Sequence, residues 1–451
     1  MLRIYDTAIG AVVDFEPRDP GRVSIYACGP TVYDVPHIGH GRMVLVFDLL
    51  RRYLEWSGYE VTFVSNVTDI DDNIIKRAVE EGRTTEEVVA TYEKAWWDAI
   101  EGLGVKRPTE EPHATAFVAR MVELIQDLFA RGYAYVVEGD GVYFRAERVD
   151  GYGLLARQSL DSLRSGARVE VAEGKESAVD FALWKFSKPG EPVWPSPWGD
   201  GRPGWHTECV VMSLDILGDG FDIHGGGRDL AFPHHENERA QALASGRSFA
   251  RHWMHNGWVA VEGVKMSKSL KNFTSLTDLL EQTGDGRTYR LLVLQSHYRS
   301  PIEVTPDTID RAARSLARLD AFGRRFASAA GTPADPDAVA RFRAAMDDDL
   351  NSPVAAALIF DLVGQANTAA DAGDEAAARP LAAAAVELAA ALGLPIRTGE
   401  AEVDDDTAAL VRQRDEARAA RDFGRADALR DELVARGWTV EDTAAGTRVH
   451  R

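Results

Sequence analysis

Residues 22–67 read RVSIYACGPTVYDVPHIGHGRMVLVFDLLRRYLEWSGYEVTFVSNV, and the fold is decided here. Arg22–Cys28 has the pattern of a short strand and leads through Gly29, Pro30 and a polar turn into Pro36–His40 (PHIGH). From about Ile38 the apolar Met43, Phe47, Leu50 and Leu54 recur at three- and four-residue spacing, which predicts a helix stopping at Gly58. Val61–Val67 reads as a second strand. Strand–loop–helix–strand opens a parallel sheet, with the loop at the carboxyl ends of the strands, where such sheets bind ligands.

Further along, His113–Arg131 predicts a helix, and Tyr133–Val137 with Gly141–Arg145 around a GDG turn predicts a hairpin. Phe221–His224 reads as a buried strand, Pro233–Leu243 as a helix, and Asn256–Val261 as a strand that delivers Lys265–Ser269 (KMSKS) on a loop. After about Ser275 the pattern is all-helical, with the alanine-rich Leu381–Leu392 a good helix former. Thr398–Thr407 reads as an acidic linker and Leu410–Arg451 as a separate, more basic module. The expected organisation is a Rossmann-like α/β domain (1–108 and 203–275), an inserted α+β subdomain (109–202), a helical region (276–397) and a C-terminal module (408–451).

A chain of 451 residues is too long for one ordinary core. No stretch approaches the roughly 20 apolar residues a membrane span needs, and MLRIYDTAIG lacks the pattern of a signal peptide, so the cytoplasm is the expected location and no membrane partner is expected. The net charge of −20 argues against a nucleic-acid partner when taken alone, although it leaves room for a local basic patch. Cys28 and Cys209 are the only cysteines, and a reducing compartment disfavours a disulfide between them.

PHIGH alone equally suits a helix start whose imidazoles cap backbone groups, and KMSKS alone suits a solvated lysine loop. Together, in this order, they read as two halves of one ATP site. Attack of a carboxylate on the α-phosphate builds negative charge that needs aimed donors and little covalent help. His37 and His40 lie at a helix mouth that already favours phosphate. Gly39 and Gly41 would let the backbone approach the nucleotide, and Lys265 and Lys268 supply point charges for the β- and γ-phosphates, with Mg²⁺ accompanying the triphosphate. Cys28, Cys209, His234 and Glu238 form a second set, two thiols, an imidazole and a carboxylate, that suits Zn²⁺. His234 and Glu238 share one helix face. The competing reading of the cysteines is as buried apolar filler.

The PHIGH and KMSKS pair resembles the class I aminoacyl-tRNA synthetases, and Gly225–Asp229 (GGGRD) resembles an element of that class. That likeness implies a contact from Asp229 to the ribose or to the amino group of the amino acid; the alternative for Asp229 is a helix N-cap. CGPTVYDVPHIGH, GWHTECVVMS and FPHHENERAQ are similar to the cysteinyl-tRNA synthetase family. The resemblance implies one zinc per chain held by Cys28, Cys209, His234 and Glu238. It also implies an amino-acid pocket involving Gly29, Thr31, Thr68, Trp205 and His206, and a monomer whose substrates are ATP, L-cysteine and tRNA(Cys). The tail from Arg421 to Thr447 resembles an anticodon-binding end, with Trp438 as a stacking platform, while TRVHR departs from the family pattern. Two rivals stand beside this reading: a cysteine ligase of mycothiol biosynthesis, which lacks the C-terminal module, and a catalytically silent RNA-binding paralogue.

Overall fold

The computed structural model describes residues 1–158, 174–261, 264–265, 274–398, 404–443 and 446–450. Its centre is a four-stranded parallel sheet built from Arg22–Ala27 (β1), Glu60–Val64 (β2), Ile223–Gly227 (β3) and His252–Asn256 (β4), in the spatial order β4-β3-β1-β2. The chain therefore moves from β1 to one side, then returns to the other. This reversal opens a crevice between the carboxyl ends of β1 and β3.

The helix predicted after PHIGH is Ile38–Trp56 (α1). It buries Leu45, Phe47, Leu50 and Leu54 in the largest core of the molecule, as its spacing requires. A Cβ at Gly225 would lie 2.2 Å from the Phe47 ring, so a glycine there lets α1 lie close to β3. Gly41 serves packing too: a Cβ there would meet Leu276 at 3.0 Å and Tyr289 at 3.1 Å. That corrects the expectation that Gly41 faces nucleotide.

The inserted segment holds a helix, Val118–Ala130, and an antiparallel sheet of Ala134–Val137, Gly141–Phe144, Phe181–Phe186 and Gly201–Pro203. The expected hairpin is its first strand pair. Asn256–Val261, expected as one strand, is divided. Asn256 ends β4, whereas Val259–Val261 joins a separate small sheet with Val264–Lys265 and Ile302–Glu303. The break follows from Gly257, where a Cβ would stand 2.6 Å from the carbonyl oxygens of Arg299 and Ser300.

Beyond residue 275 long helices dominate, including Pro306–Arg325, Ser352–Asp371 and Glu375–Ala391. The alanines of the last, such as Ala382, Ala385 and Ala389, are buried and let it approach its neighbour closely. The region is not wholly helical. The C-terminal module pairs helices Asp405–Ala419 and Phe423–Ala435 with a hairpin of Thr439–Thr443 and Gly446–His450. Of the expected linker, 399–403 lies outside the described residues, and Thr407 is already helical, above the Asp404 cap.

Gly225→Ala should destabilise the catalytic part by about 1–3 kcal/mol, because the added methyl forces Phe47 and α1 outward. Thermal unfolding followed by circular dichroism checks this. An unchanged first transition would show that α1 does not need the glycine.

Candidate active site and metal centre

PHIGH is joined through the backbone to the segment that begins at Thr274, beyond KMSKS. The Ile38 N–H donates to the Thr274 carbonyl at 3.2 Å, and the Leu276 N–H donates to the Pro36 carbonyl at 2.8 Å. His37 and Ser275 form an antiparallel bridge between these bonds. PHIGH is thus zipped to the segment that follows KMSKS, while Lys265 precedes it in a short strand paired with Ala260. The Lys265 side chain and the whole of Lys268 lie outside the described residues. Arg42, buried in α1, donates to the carbonyls of Trp258, Tyr298 and Ser300 and so ties the helix to the strand leading into KMSKS. Burial pulls its pKa down to about 10.

His37 and His40 form a reciprocal cap. Each Nδ1 accepts the other residue's backbone N–H at 3.2 Å, and the rings stack 3.6 Å apart. The capping geometry is therefore present, and His37, Gly39 and His40 also line a cleft of about 510 Å³. Cys28, Gly29, Thr31, Trp205 and Asp229 line it as well. Asp229 sits in a single turn, Arg228–Ala231, and does not cap the following helix, whose N-cap is Pro233.

At the inner end of the cleft, β1 delivers Cys28, whose N–H donates to the Gly225 carbonyl at 3.1 Å. Helix Trp205–Leu217 (α2) delivers Cys209, and helix His234–Ala244 (α3) delivers His234 and Glu238 one turn apart. All four side chains are buried, and their ligand atoms lie within 4.8 Å of one another. The Cys28 and Cys209 sulfurs are 3.8 Å apart, Cys209 Sγ is 3.7 Å from His234 Nε2, Cys28 Sγ is 3.8 Å from Glu238 Oε1, and His234 Nε2 is 3.0 Å from Glu238 Oε1. A tetrahedral site with metal–sulfur bonds of about 2.3 Å and metal–nitrogen or –oxygen bonds of about 2.0–2.2 Å has edges of about 3.4–3.8 Å. Three of these distances match such edges, while the His234 Nε2–Glu238 Oε1 pair stands at hydrogen-bond distance and has to open by about 0.3–0.6 Å to admit a four-coordinate metal. An alternative grouping of Cys28, His224, His235 and Glu238 fits less well. Its His224 Nε2 to Glu238 Oε2 distance of 2.6 Å is a hydrogen bond, too short for an edge of that tetrahedron.

The electrostatics are those of a site prepared for a cation. A hydrogen bond from Cys28 holds the Cys209 thiol at about 6 against burial, while burial and the neighbouring Cys209 push Cys28 well up. Burial works against the charged forms of Glu238 and His234. The imidazoles of His224 and His234 nonetheless hold Glu238 at about 2, and Glu238 raises His234 to about 10.

The surrounding groups orient the donors. Trp205 stacks on His234 at 3.9 Å, and His206 Nδ1 lies 2.8 Å from His234 Nδ1. With His234 Nε2 facing the other donors, its Nδ1–H is the proton shared with His206. Thr68 does not line the cleft. It lies buried behind Asn66, accepts from the Asn66 amide at 3.2 Å and donates to Glu208 Oε2 at 2.9 Å. Asn66 Oδ1 in turn accepts the Gly29 N–H at 2.9 Å. Sequence reasoning missed Asn66 and Glu208 in this lattice, whereas His224 belongs to the histidine cluster that the sequence places near these segments. Only the adjacency of Glu208 to Cys209 and of Asn66 to Thr68 hinted at them.

Three family models match the chain. Residues 14–314 match the class I (C) tRNA synthetase catalytic domain, residues 341–397 the DALR domain, and residues 400–450 the cysteinyl-tRNA ligase anticodon binding domain. The cysteine–tRNA ligase of Halorhodospira halophila is 48% identical over 460 residues, covering 100% of both chains. The chain belongs to the cysteine–tRNA ligase family. The cysteine–tRNA ligase of Geobacillus thermodenitrificans is 44% identical over 469 residues, covering 100% of this chain and 99% of that one. Among solved structures, Mycobacterium tuberculosis methionyl-tRNA synthetase in complex with methionyl-adenylate shares the fold, with a TM-score of 0.61, 17% identity, and coverage of 82% of this chain and 90% of that one. The cysteine–tRNA ligase fold is therefore of class I, as PHIGH and KMSKS imply.

Burial, with the neighbouring Cys209, pushes the Glu208 carboxyl well above its usual range, the direction that favours its neutral form. Glu208→Gln should hold cysteine-dependent ATP–pyrophosphate exchange within about threefold, while Glu208→Ala, which strands Thr68, should lower it by more than about tenfold. Equal losses in both variants would contradict a neutral role.

Proposed function

We propose that the chain joins L-cysteine to ATP, forming cysteinyl-adenylate and pyrophosphate, and passes the cysteinyl group to the 3′-terminal adenosine of tRNA(Cys). The observation that carries this reading is the position of Cys28. It is a member of the four-donor cluster and also part of the wall of the cleft that holds His37 and His40. A group seated at the cluster is thereby adjacent to the phosphate end of the cleft.

The α1 N-terminus and the His37/His40 pair receive the triphosphate. Because Nδ1 of each ring is engaged in the cap, contact with phosphate falls to Nε2. Lys265 and Lys268 neutralise the β- and γ-phosphates as pyrophosphate leaves, together with Mg²⁺. Asp229, which also lines the cleft, orients the ribose or the ammonium group of cysteine. Gly29, Thr31 and Trp205 bound the amino-acid end, and His206 and Thr68 hold its walls from behind. Cys28, Cys209, His234 and Glu238 hold Zn²⁺. Bound there, zinc would favour a soft ionised thiolate over the hydroxyl of serine, a distinction that packing alone makes only about 10–200-fold.

Three features support an RNA acceptor over an amino sugar. The match at residues 400–450 is to an anticodon-binding domain. Arg412, Arg421, Arg425 and Arg430 are exposed on the C-terminal helices, whereas Arg414 is buried against Asp442 and Thr447. A further cleft of about 580 Å³ is lined by Arg311, Arg314 and Arg318, a local basic surface on an acidic chain. Trp438 is not a stacking platform. It is 4% exposed in the small core of Leu410, Leu429, Leu433, Val440 and Val449, and the solvent-facing aromatic is Phe423, 63% exposed between Arg421 and Arg425. Phe423 takes the stacking role proposed for Trp438. No catalytic or metal position of the family motifs is missing, which leaves nothing to favour a silent paralogue. Likeness to the family makes a monomer the default. Among the described residues no helix is long and apolar enough to cross a membrane, and we assign the chain to the cytoplasm.

Cysteine-dependent ATP–pyrophosphate exchange, followed by charging with tRNA(Cys) or with an amino sugar, tests the assignment. Charging of the amino sugar alone would overturn it. Lys268→Ala should slow adenylate formation far more than it weakens ATP binding, and equal loss in both would remove its transition-state role. Phe423→Ala should raise the KM for tRNA by about 5–100-fold without altering pyrophosphate exchange. In the metal-free site Cys209 and Glu238 are ionised near neutral pH, while Cys28 and His234 hold protons. Zinc binding must displace those two protons, so the logarithm of apparent affinity should rise with a slope of about 2 per pH unit between about pH 7 and 8. A flat profile from a zinc titration would exclude this ligand set.

A further inference from the structure

Away from the substrate cleft, Cys28 makes one more contact that neither the metal set nor the nucleotide site uses. Its sulfur lies 3.3 Å from His235 Nε2. His235, on α3, places Nδ1 2.8 Å from Nε2 of His255 on β4. His255 Nδ1 lies 2.8 Å from the hydroxyl of Thr7, in the turn joining the N-terminal strands Arg3–Asp6 and Ala11–Asp14. His235, His255 and Thr7 are all buried, so no solvent competes for these bonds. The turn itself is held firmly. Asp6 Oδ1 accepts the N–H groups of Ala8 and Ile9, and the Thr7 N–H donates to the Trp253 carbonyl at 2.9 Å.

The order of donors along this line is forced. A metal-bound sulfur is a thiolate and only accepts. His235 must then carry its proton on Nε2, which makes its Nδ1 an acceptor. His255 must carry its proton on Nε2, which makes its Nδ1 an acceptor in turn. Only a group with a donor of its own can close such a line, and the Thr7 O–H is that donor. We infer that Thr7 is a positioning residue for the metal centre: its hydroxyl fixes the tautomers of His255 and His235 so that His235 Nε2–H is directed at the Cys28 sulfur. Two thiolates and a carboxylate bring three negative charges to a divalent cation, so the buried centre keeps excess negative charge, and a directed N–H donor relieves it. The N-terminal hairpin, remote from the substrate cleft, is on this account part of the metal site.

The inference rests on the metal reading proposed above, and the test separates the two. Purified full-length chain loaded with Zn²⁺ is competed against EDTA, and the Co²⁺-loaded protein is examined for its sulfur-to-metal absorption band. Thr7→Val, which keeps the shape and removes the hydroxyl, should hold zinc about tenfold less tightly and shift the cobalt band. Thr7→Ser should stay within about twofold of the unaltered chain with the band in place, and the KM for ATP should be unchanged in both. Thr7→Ala is read in the same way if Thr7→Val does not fold. Unaltered zinc retention and an unmoved band in Thr7→Val would overturn the inference and leave the metal reading standing, as would equal loss in Thr7→Ser and Thr7→Val. An unaltered chain that takes up neither metal would overturn both.

Discussion

The hydrogen bond from the Cys28 N–H to the Gly225 carbonyl joins the ends of the two strands on either side of the topological switch. Much of the site depends on it. It holds Cys28 where β1 stops, so that the thiol faces Cys209 and Glu238 while the following residues lead into the PHIGH loop. The same crevice must remain open for substrate, and the glycines nearby show how little room is spare. A Cβ at Gly29 would fall 1.6 Å from the Asn66 carbonyl oxygen. Any side chain there would separate the loop from the strand that supports it.

Charge balance is the second constraint. The centre buries ionisable groups from five elements in one place, a costly arrangement unless each has a partner. Glu238 is placed between two imidazoles, His224 and His234, and each of those rings is held by an aromatic neighbour, His224 stacked on Trp253 and His234 on Trp205. His206 and His255 are driven toward the neutral form mainly by burial, His255 to about 3, and so act as fixed donors and acceptors without adding positive charge. A similar economy appears at α1, where buried Asp48 is matched by Arg290 and Arg52.

The opening βαβ unit was legible in the sequence because periodicity reports it directly: Phe47, Leu50 and Leu54 face one core, Gly29 follows the first strand and Gly58 follows the helix. PHIGH and KMSKS stood out in the sequence as a pair, and the zipper joins PHIGH to Thr274–Leu276, a few residues beyond the second motif. The metal set was not legible by spacing, since its members come from β1, α2 and α3, and only family likeness gathered them. Where local pattern competed with tertiary contact, the pattern failed. Asn256–Val261 is apolar enough for one strand, but the backbone of Arg299 and Ser300 crowds Gly257 and diverts it. Trp438 reads as a surface aromatic beside Gly437, yet a module of this size has few other side chains with which to fill its core. The carbonyl and hydroxyl partners of the inner lattice, Asn66, Thr68 and Thr7, carry no pattern at all.

The central claim is that a metal held by Cys28, Cys209, His234 and Glu238 selects the amino acid that meets ATP at PHIGH. The most direct measurement compares kcat/KM for cysteine and for serine in pyrophosphate exchange, with the protein zinc-loaded and after zinc removal and verified folding. The account predicts strong preference for cysteine in the loaded protein and loss of cysteine activation when the metal is removed, restored by adding zinc back. A folded, metal-free protein that still activates cysteine and still rejects serine would contradict it.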